Sequence, residues 1–220
     1  MTAILFAEMT PEAAWEDRFN TWYDHDHIRS RMEIEGFTGA QRYRATDTDN
    51  YLVVYDMQSL AILKTPAYEH LKNNESDETL WMLANVRNFT RNLGVEIGRD
   101  GFDETARDTD LIFVTMFDVP SEHLDEFDAW MKQDHAPLLL RNKEWLAIRR
   151  FSMTFTDPQR FTRLNIHYLA SPAALESPER TEARGTPWRA AMAEKHAWFR
   201  QPRTATFRRF GPFFGPVGKS

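Results

Sequence analysis

The chain contains no cysteine among its 220 residues, which excludes disulfides, a thiolate nucleophile and an iron–sulfur cluster held by thiolates. It has no apolar run near the ~20 residues that a membrane-spanning helix requires. Its N-terminus lacks a basic region followed by an apolar stretch, so a soluble protein of the cytoplasm is expected, with no membrane partner. Neither G-x-G-x-x-G nor G-x-x-x-x-G-K-[ST] occurs, and G-x-S-x-G is absent too, so nothing supports a nucleotide site or a serine hydrolase. There is no basic stripe. The net charge of −6 would repel phosphates at long range, and nucleic acid is not an expected partner. The charge is uneven, however: residues 110–220 hold 16 Lys+Arg against 13 Asp+Glu, and residues 1–109 hold 11 against 20. A mildly basic second half can favour an anionic ligand, or the halves simply attract each other or have drifted.

What the chain does have is one statement made twice. Trp22-Tyr23-Asp24-His25-Asp26-His27 returns as Trp130-Met131-Lys132-Gln133-Asp134-His135, sharing W-x₃-D-H at a spacing of 108 residues. Phe19 matches Phe127, Phe37 matches Trp145, Arg42 matches Arg150 and Tyr43 matches Phe151 at the same spacing. Leu52–Tyr55 aligns with Leu164–His167 at 112, so the second copy gains four residues near Asp157–Arg160, as a loop permits. Thr79-Leu80-Trp81 pairs with Thr186-Pro187-Trp188. Hydrophobic residues at 42% and aromatics at 13% give each copy a core. Two domains of ordinary small size are expected, over residues 1–100 and 109–210, with a tail over 211–220.

Each half reads β-α-β-β-α-β. Ala3–Ala7 and Leu111–Phe117 are short apolar runs that read as opening strands. Thr10-Pro11 and Pro120-Ser121-Glu122 read as helix starts. Phe37–Arg44 and Tyr51–Met57 flank a polar turn and read as a hairpin. A helical region follows from about Leu60 to Asn88, broken near Asn73–Asp77, and then a strand over Leu93–Ile97. This order predicts an α+β fold of two tandem ferredoxin-like modules. The linker is expected over Gly98–Asp110. The tail Gly211–Pro216 is free to cover a sheet edge or a pocket.

Phe19, Tyr23 and His27 lie at i, i+4 and i+8, so the histidine continues an apolar helix face, and Phe127, Met131 and His135 repeat the pattern. A partly desolvated imidazole there can move protons near neutral pH; the bland alternative is a histidine bonded to a carbonyl or carboxylate. Tyr55 and His167 correspond on the third strand and can each donate or accept a proton. Arg42 and Arg150 correspond as anion partners or as ordinary sheet residues. Tyr23, Tyr43, Trp81 and Trp188 complete the candidate substrate-binding set. Asp24 is within reach of His27, but Lys132 in the second copy argues against a shared dyad. No metal is expected, because Asp24-His25-Asp26-His27 spreads its ligands at i, i+2 around a helix instead of at i, i+3 or i+4.

These motifs resemble the dimeric α+β barrel superfamily, and within it the EthD-like group, with its F-x₂-W-Y first helix ending in H-[IA]-P and its G-F-x₃-R-Y second strand. Phe19, Trp22, Tyr23, His27 and Ile28 match, as do Gly36, Phe37, Arg42 and Tyr43. The first copy has Arg29 where proline is usual, and the second has Glu144-Trp145 for Gly36-Phe37. The resemblance implies that one chain forms the barrel which relatives build from two subunits, with further homodimerisation open. It also implies a cofactor-independent enzyme, a lyase ahead of a decarboxylase, cyclase or isomerase, acting on a small hydrophobic aromatic or polyketide-like carbonyl compound. His27 or His135 would be the base and Tyr55 or His167 the proton donor. A cofactor-free monooxygenase, a non-catalytic ligand-binding or stress protein, and a heme protein are the rivals; an absorption band in the Soret region would mark the last.

Overall fold

The computed structural model describes residues 2–101, 106 and 108–217. In chain order its first half runs β1 (Ala3–Thr10), α1 (Glu16–Trp22), α2 (Ile28–Met32), β2 (Phe37–Ala45), β3 (Tyr51–Met57), α3 (Pro66–Asn73), α4 (Asp77–Asn85) and β4 (Arg87–Asp100). The second half repeats that order with β5 (Leu111–Phe117), α5 (Leu124–Trp130), α6 (Ala136–Leu139), β6 (Trp145–Asp157), β7 (Arg163–Leu169), α7 (Pro178–Arg184), α8 (Pro187–Lys195) and β8 (Arg203–Phe214). The fold is mixed α+β, and the hydrogen-bonded strand order β1-β3-β2-β8-β5-β7-β6-β4 closes on itself.

Contacts divide the chain into two units. In the first, β1 pairs antiparallel with β3 and β4, and β3 pairs with β2. Ala3, Leu5, Ala7 and Met9 alternate along β1 and all enter the core that includes Phe19, Trp22 and Tyr23 of the first helix, as a period of two requires. In the second unit, β5 pairs with β7 and β8, and β7 with β6. Both units carry the same irregularity: the register shifts between Phe37 and Gly39 in β2 and between Trp145 and Ala147 in β6. Such a bulge re-aims the side chains after it. It sets Ala40 opposite Tyr55 and Ile148 opposite His167. At the head of β2, Gly36 has φ +102°, and an added Cβ would meet the Ile62 side chain at 2.4 Å. Glycine is required there.

Several expectations change. Thr10 does not cap a helix; β1 runs through it, and its hydroxyl donates to Asn50 Oδ1 at 3.0 Å and accepts from Asn88 at 3.3 Å. Gly98–Asp100, expected as linker, finishes β4, and residues 102–105 and 107 of that linker lie outside the described residues. Gly211–Phe214 is the end of β8, with the Phe213 ring against Gly39 of β2. Thr79 and Thr186 are not equivalent: Ser76 caps α4 and Thr186 caps α8, so Thr79 corresponds to Arg189. No described helix is long and apolar enough to cross a membrane.

Candidate active site

The first helix of each half does not run as one α-helix. Between α1 and α2, residues Tyr23–His27 form a π turn in which the Ile28 N–H bonds the Tyr23 carbonyl, and Met131–His135 does the same with Ala136 and Met131. Inserting an i→i+5 step brings residues five apart together, and π turns of this kind recur at functional sites. Here it stacks the repeated tryptophan on the repeated histidine. Trp22 and His27 ring centres are 4.4 Å apart, and those of Trp130 and His135 are 4.6 Å apart. The repeated aspartates have a shared task too. Asp26 accepts a hydrogen bond from Ser76 and Asp134 one from Thr186, the N-cap residues of α4 and α8. His25 and Asp26 are exposed whereas His27 is buried, so that acidic and imidazole run does not converge.

A cavity of about 440 Å³ lies in the first unit. Its walls are apolar residues of β1 and α4 with Tyr68, and its polar edge is made by Tyr23, His27, Arg31, Tyr55, Lys72 and Arg91. Among the described residues no carboxylate lines it. The His27 ring packs on Tyr23 at 5.0 Å and makes no hydrogen bond among the described residues. Burial, then Arg31, Lys72 and Arg42, hold it well below the ordinary histidine value of 6.5, so it is neutral at pH 7. Burial pushes the Tyr23 phenol up to about 12 and Tyr55 well above 10.0, so both are hydroxyl donors. Each hydroxyl feels the other, but their geometry leaves the Tyr55 oxygen with no hydrogen-bond partner at 1% exposure. Arg31 is the third unusual group. It is 6% exposed, one nitrogen donates to the His27 carbonyl at 2.8 Å, its Nε has no partner, and among the described residues no carboxylate pairs with it.

Buried polar groups are normally satisfied, and an unpaired buried cation destabilises a fold by several kcal/mol. Two such groups on residues that line one cavity mark it as a candidate ligand site. A direct consequence concerns stability. Tyr55→Phe removes an unsatisfied hydroxyl and should leave the protein as stable as the parent or more so, by up to about 1 kcal/mol in urea unfolding, where a hydrogen-bonded tyrosine would lose about that much.

The other candidates sit elsewhere. Arg42 is engaged by Asp24 at 2.7 Å and Asn20 at 2.5 Å, and its guanidinium lies over the Tyr23 ring at 4.7 Å. It does not line the cavity. Arg150 pairs with Asp100 at 2.8 Å. Tyr43 lies on the face of β2 opposite to Arg42 and is buried. Trp81 packs edge-on to Trp15, with Arg18 over its ring, and Trp188 packs on the second core.

His135 and His167 meet in a cavity of about 250 Å³ in the second unit. The Nδ1 of His135 faces the Ala183 carbonyl at 3.2 Å and must donate to it, which leaves a lone pair on Nε2. The Nδ1 of His167 accepts from the Trp145 indole at 3.2 Å, so its proton is on Nε2. Burial lowers the two to about 4 and about 3. Tyr68 and Lys72, three and seven residues past the cap Thr65, give way to Arg180 and Arg184, three and seven past the cap Ser177. Outside both cavities, His123, Glu126 and His196 are the described ligand-type trio close enough to share an ion, with both imidazoles within 3.9 Å of the Glu126 carboxylate.

No family model and no curated protein matches the chain by sequence. Solved structures do. An anthrone oxidase-like protein superposes with a TM-score of 0.74 at 12% identity, covering 100% of this chain and 94% of its own. A proposed monooxygenase from Fusobacterium nucleatum gives 0.63 at 9%, covering 99% and 95%. A mutant chlorite dismutase from Candidatus Nitrospira defluvii gives 0.58 at 11%, covering 96% and 92%. These neighbours are dimeric α+β barrel proteins, and at such identities the likeness is one of fold.

Proposed function

We propose that the first-half cavity is the working site of a cofactor-independent acid–base enzyme acting on a small hydrophobic, aromatic or polyketide-like carbonyl compound. The carrying observation is the convergence of neutral His27, the unpartnered Tyr55 hydroxyl and unpaired Arg31 on one apolar cavity. His27 takes a proton from the carbon beside the carbonyl, and the electron pair moves onto the carbonyl oxygen. Tyr55 and Tyr23 donate hydrogen bonds to that oxygen as charge grows on it, and Arg31 offsets the charge in a low-dielectric space. The imidazolium so formed sits beside Arg31 and Lys72, which favours prompt return of the proton to the intermediate. The chain itself is read as an EthD-like tandem duplicate, with modules at 1–100 and 109–210 and a tail at 211–220. The bulge, the π turn and the tryptophan–histidine stack that recur in both halves support this.

In the lyase course the enolate expels a leaving group from the β-carbon; a β-keto acid instead loses carbon dioxide to give that enolate directly, stabilised by Tyr55, Tyr23 and Arg31, and its carbon then takes up a proton. A monooxygenase course is the second reading, favoured by the likeness to an anthrone oxidase-like protein and to proposed monooxygenases. There the carbanion adds to O₂, the resulting peroxide takes up a proton, and loss of water leaves a new carbonyl; one oxygen atom enters the product and the other leaves in water. Anthrone and benzoylacetate separate the courses. Conversion of anthrone to anthraquinone with one O₂ consumed per turnover assigns the monooxygenase. Oxygen-independent release of carbon dioxide from benzoylacetate assigns the lyase. A protein that accelerates neither, and exchanges no proton with either compound, contradicts the proposal.

A further inference from the structure

The second cavity differs from the first in a way that points to another ligand. Arg180, Arg184 and Arg189 all line it. Arg180 donates to the Leu175 carbonyl at 2.5 Å and Arg189 to the Arg184 carbonyl at 3.1 Å, so each keeps most of its N–H groups free. Among the described residues no carboxylate forms an ion pair with any of the three; Glu176 is near enough only to act on Arg180 at longer range. Burial, and then the neighbouring guanidiniums, lower Arg180 and Arg189 together. A second observation stands apart from charge. The Trp130 side chain lines the cavity, and its buried indole N–H has no hydrogen-bond partner among the described residues. With His167 Nε2–H the polar lining is dominated by donors. His135 Nε2 is the imidazole acceptor, and two threonine hydroxyls can serve either way.

We infer that this cavity is a separate receptor for a small hydroxylated aromatic carboxylate, held by Arg180, Arg184 and Arg189 with its ring among Phe113, Trp145 and Phe199. A carboxylate matches the planar fork of a guanidinium and resolves the repulsion among the three. The aromatic walls take a ring, and His135 Nε2 takes a phenolic hydrogen. The cavity is distinct from the proposed working site, and its occupant need not be the compound that reacts there.

Isothermal titration of the full chain with 4-hydroxybenzoate and with 4-hydroxybenzamide tests this. The acid should bind at least about tenfold more tightly, and Arg180→Gln/Arg189→Gln should remove at least that factor for the acid and little for the amide. If the double variant does not fold, Arg184→Gln, at an exposed position, should still weaken the acid about threefold or more. Arg31→Gln should leave acid binding unchanged, which separates this cavity from the first. Equal affinities for acid and amide, no binding of the acid at millimolar concentration, loss of binding in Arg31→Gln, or equally effective displacement by inorganic phosphate would each overturn the inference.

Discussion

His27→Gln should lower kcat by at least about two orders of magnitude, because general-base groups commonly contribute 10²–10⁴-fold. Glutamine keeps a polar side chain of similar reach but cannot carry the proton. His135→Gln should leave turnover in the first cavity unchanged. The pH profile has a defined form as well. The base must be neutral, and His27 is held well below 6.5 by burial and by Arg31, Lys72 and Arg42. The rate should therefore stay flat from pH 8 to 6.5 and fall only at more acid pH, whereas an unperturbed histidine would bend the profile at about 6.5. A bend there, or retention of most activity in His27→Gln, removes His27 from the role of base and leaves it a packing residue.

Mild acid should destabilise the fold severely. His27, His135 and His167 are buried and neutral, the last two with values of about 4 and about 3 against 6.5 unfolded. Below 6.5 the unfolded chain binds protons that the native state refuses, so stability declines as pH falls toward the folded values and is retained above 6.5. One pH unit below 6.5, each histidine that stays neutral in the fold contributes on the order of 1 kcal/mol to this loss, and the three together a few kcal/mol. That is a large share of a typical total of about 5–15 kcal/mol. Urea midpoints at pH 7.5 and 5.5 measure it. An unchanged midpoint would mean that the three imidazoles are solvated and chargeable in the native state.

Much of the scaffold is legible in the sequence because hydrophobic period and repetition report on it directly. The strand runs at Ala3, Leu111 and Tyr51, the break near Asn73 and the loop near Asp157 all lie where the structure has them. The π turn was not legible, since W-x₃-D-H is as compatible with an uninterrupted α-helix; the backbone bonds from Ile28 to Tyr23 and from Ala136 to Met131, with the tryptophan–histidine contacts, reveal the extra step.

Part of the candidate site's geometry was legible. Tyr23, His27 and Tyr55 meet at one cavity, and His135 and His167 at the other. Arg42 looked available because its partner Asp24 is eighteen residues away in sequence and its other neighbour, Asn20, has no charge to announce the pairing. The second half hides the same fact, since Lys132 stands in place of Asp24 and Arg150 turns to Asp100 instead. Arg31 could have been found, as it follows His27 by four residues on the helix. The repeat does not mark it, because Leu139 occupies the corresponding place in the second half. Arg180, Arg184 and Arg189 have no arginine at the corresponding places of the first half, and aligning Thr79 with Thr186 sets the fourth helix three residues out of step with its N-cap.

Proton exchange at carbon tests the central claim without requiring the natural product to be known. Anthrone, incubated under argon in D₂O, loses its methylene hydrogens to solvent at a rate that proton NMR follows. The parent protein should accelerate that exchange, His135→Gln should accelerate it equally, and His27→Gln should leave it at least about a hundredfold slower than the parent. Exchange no faster with the parent protein than without it, or equal acceleration by His27→Gln, would contradict the assignment of His27 and its cavity as the place where the proton is removed.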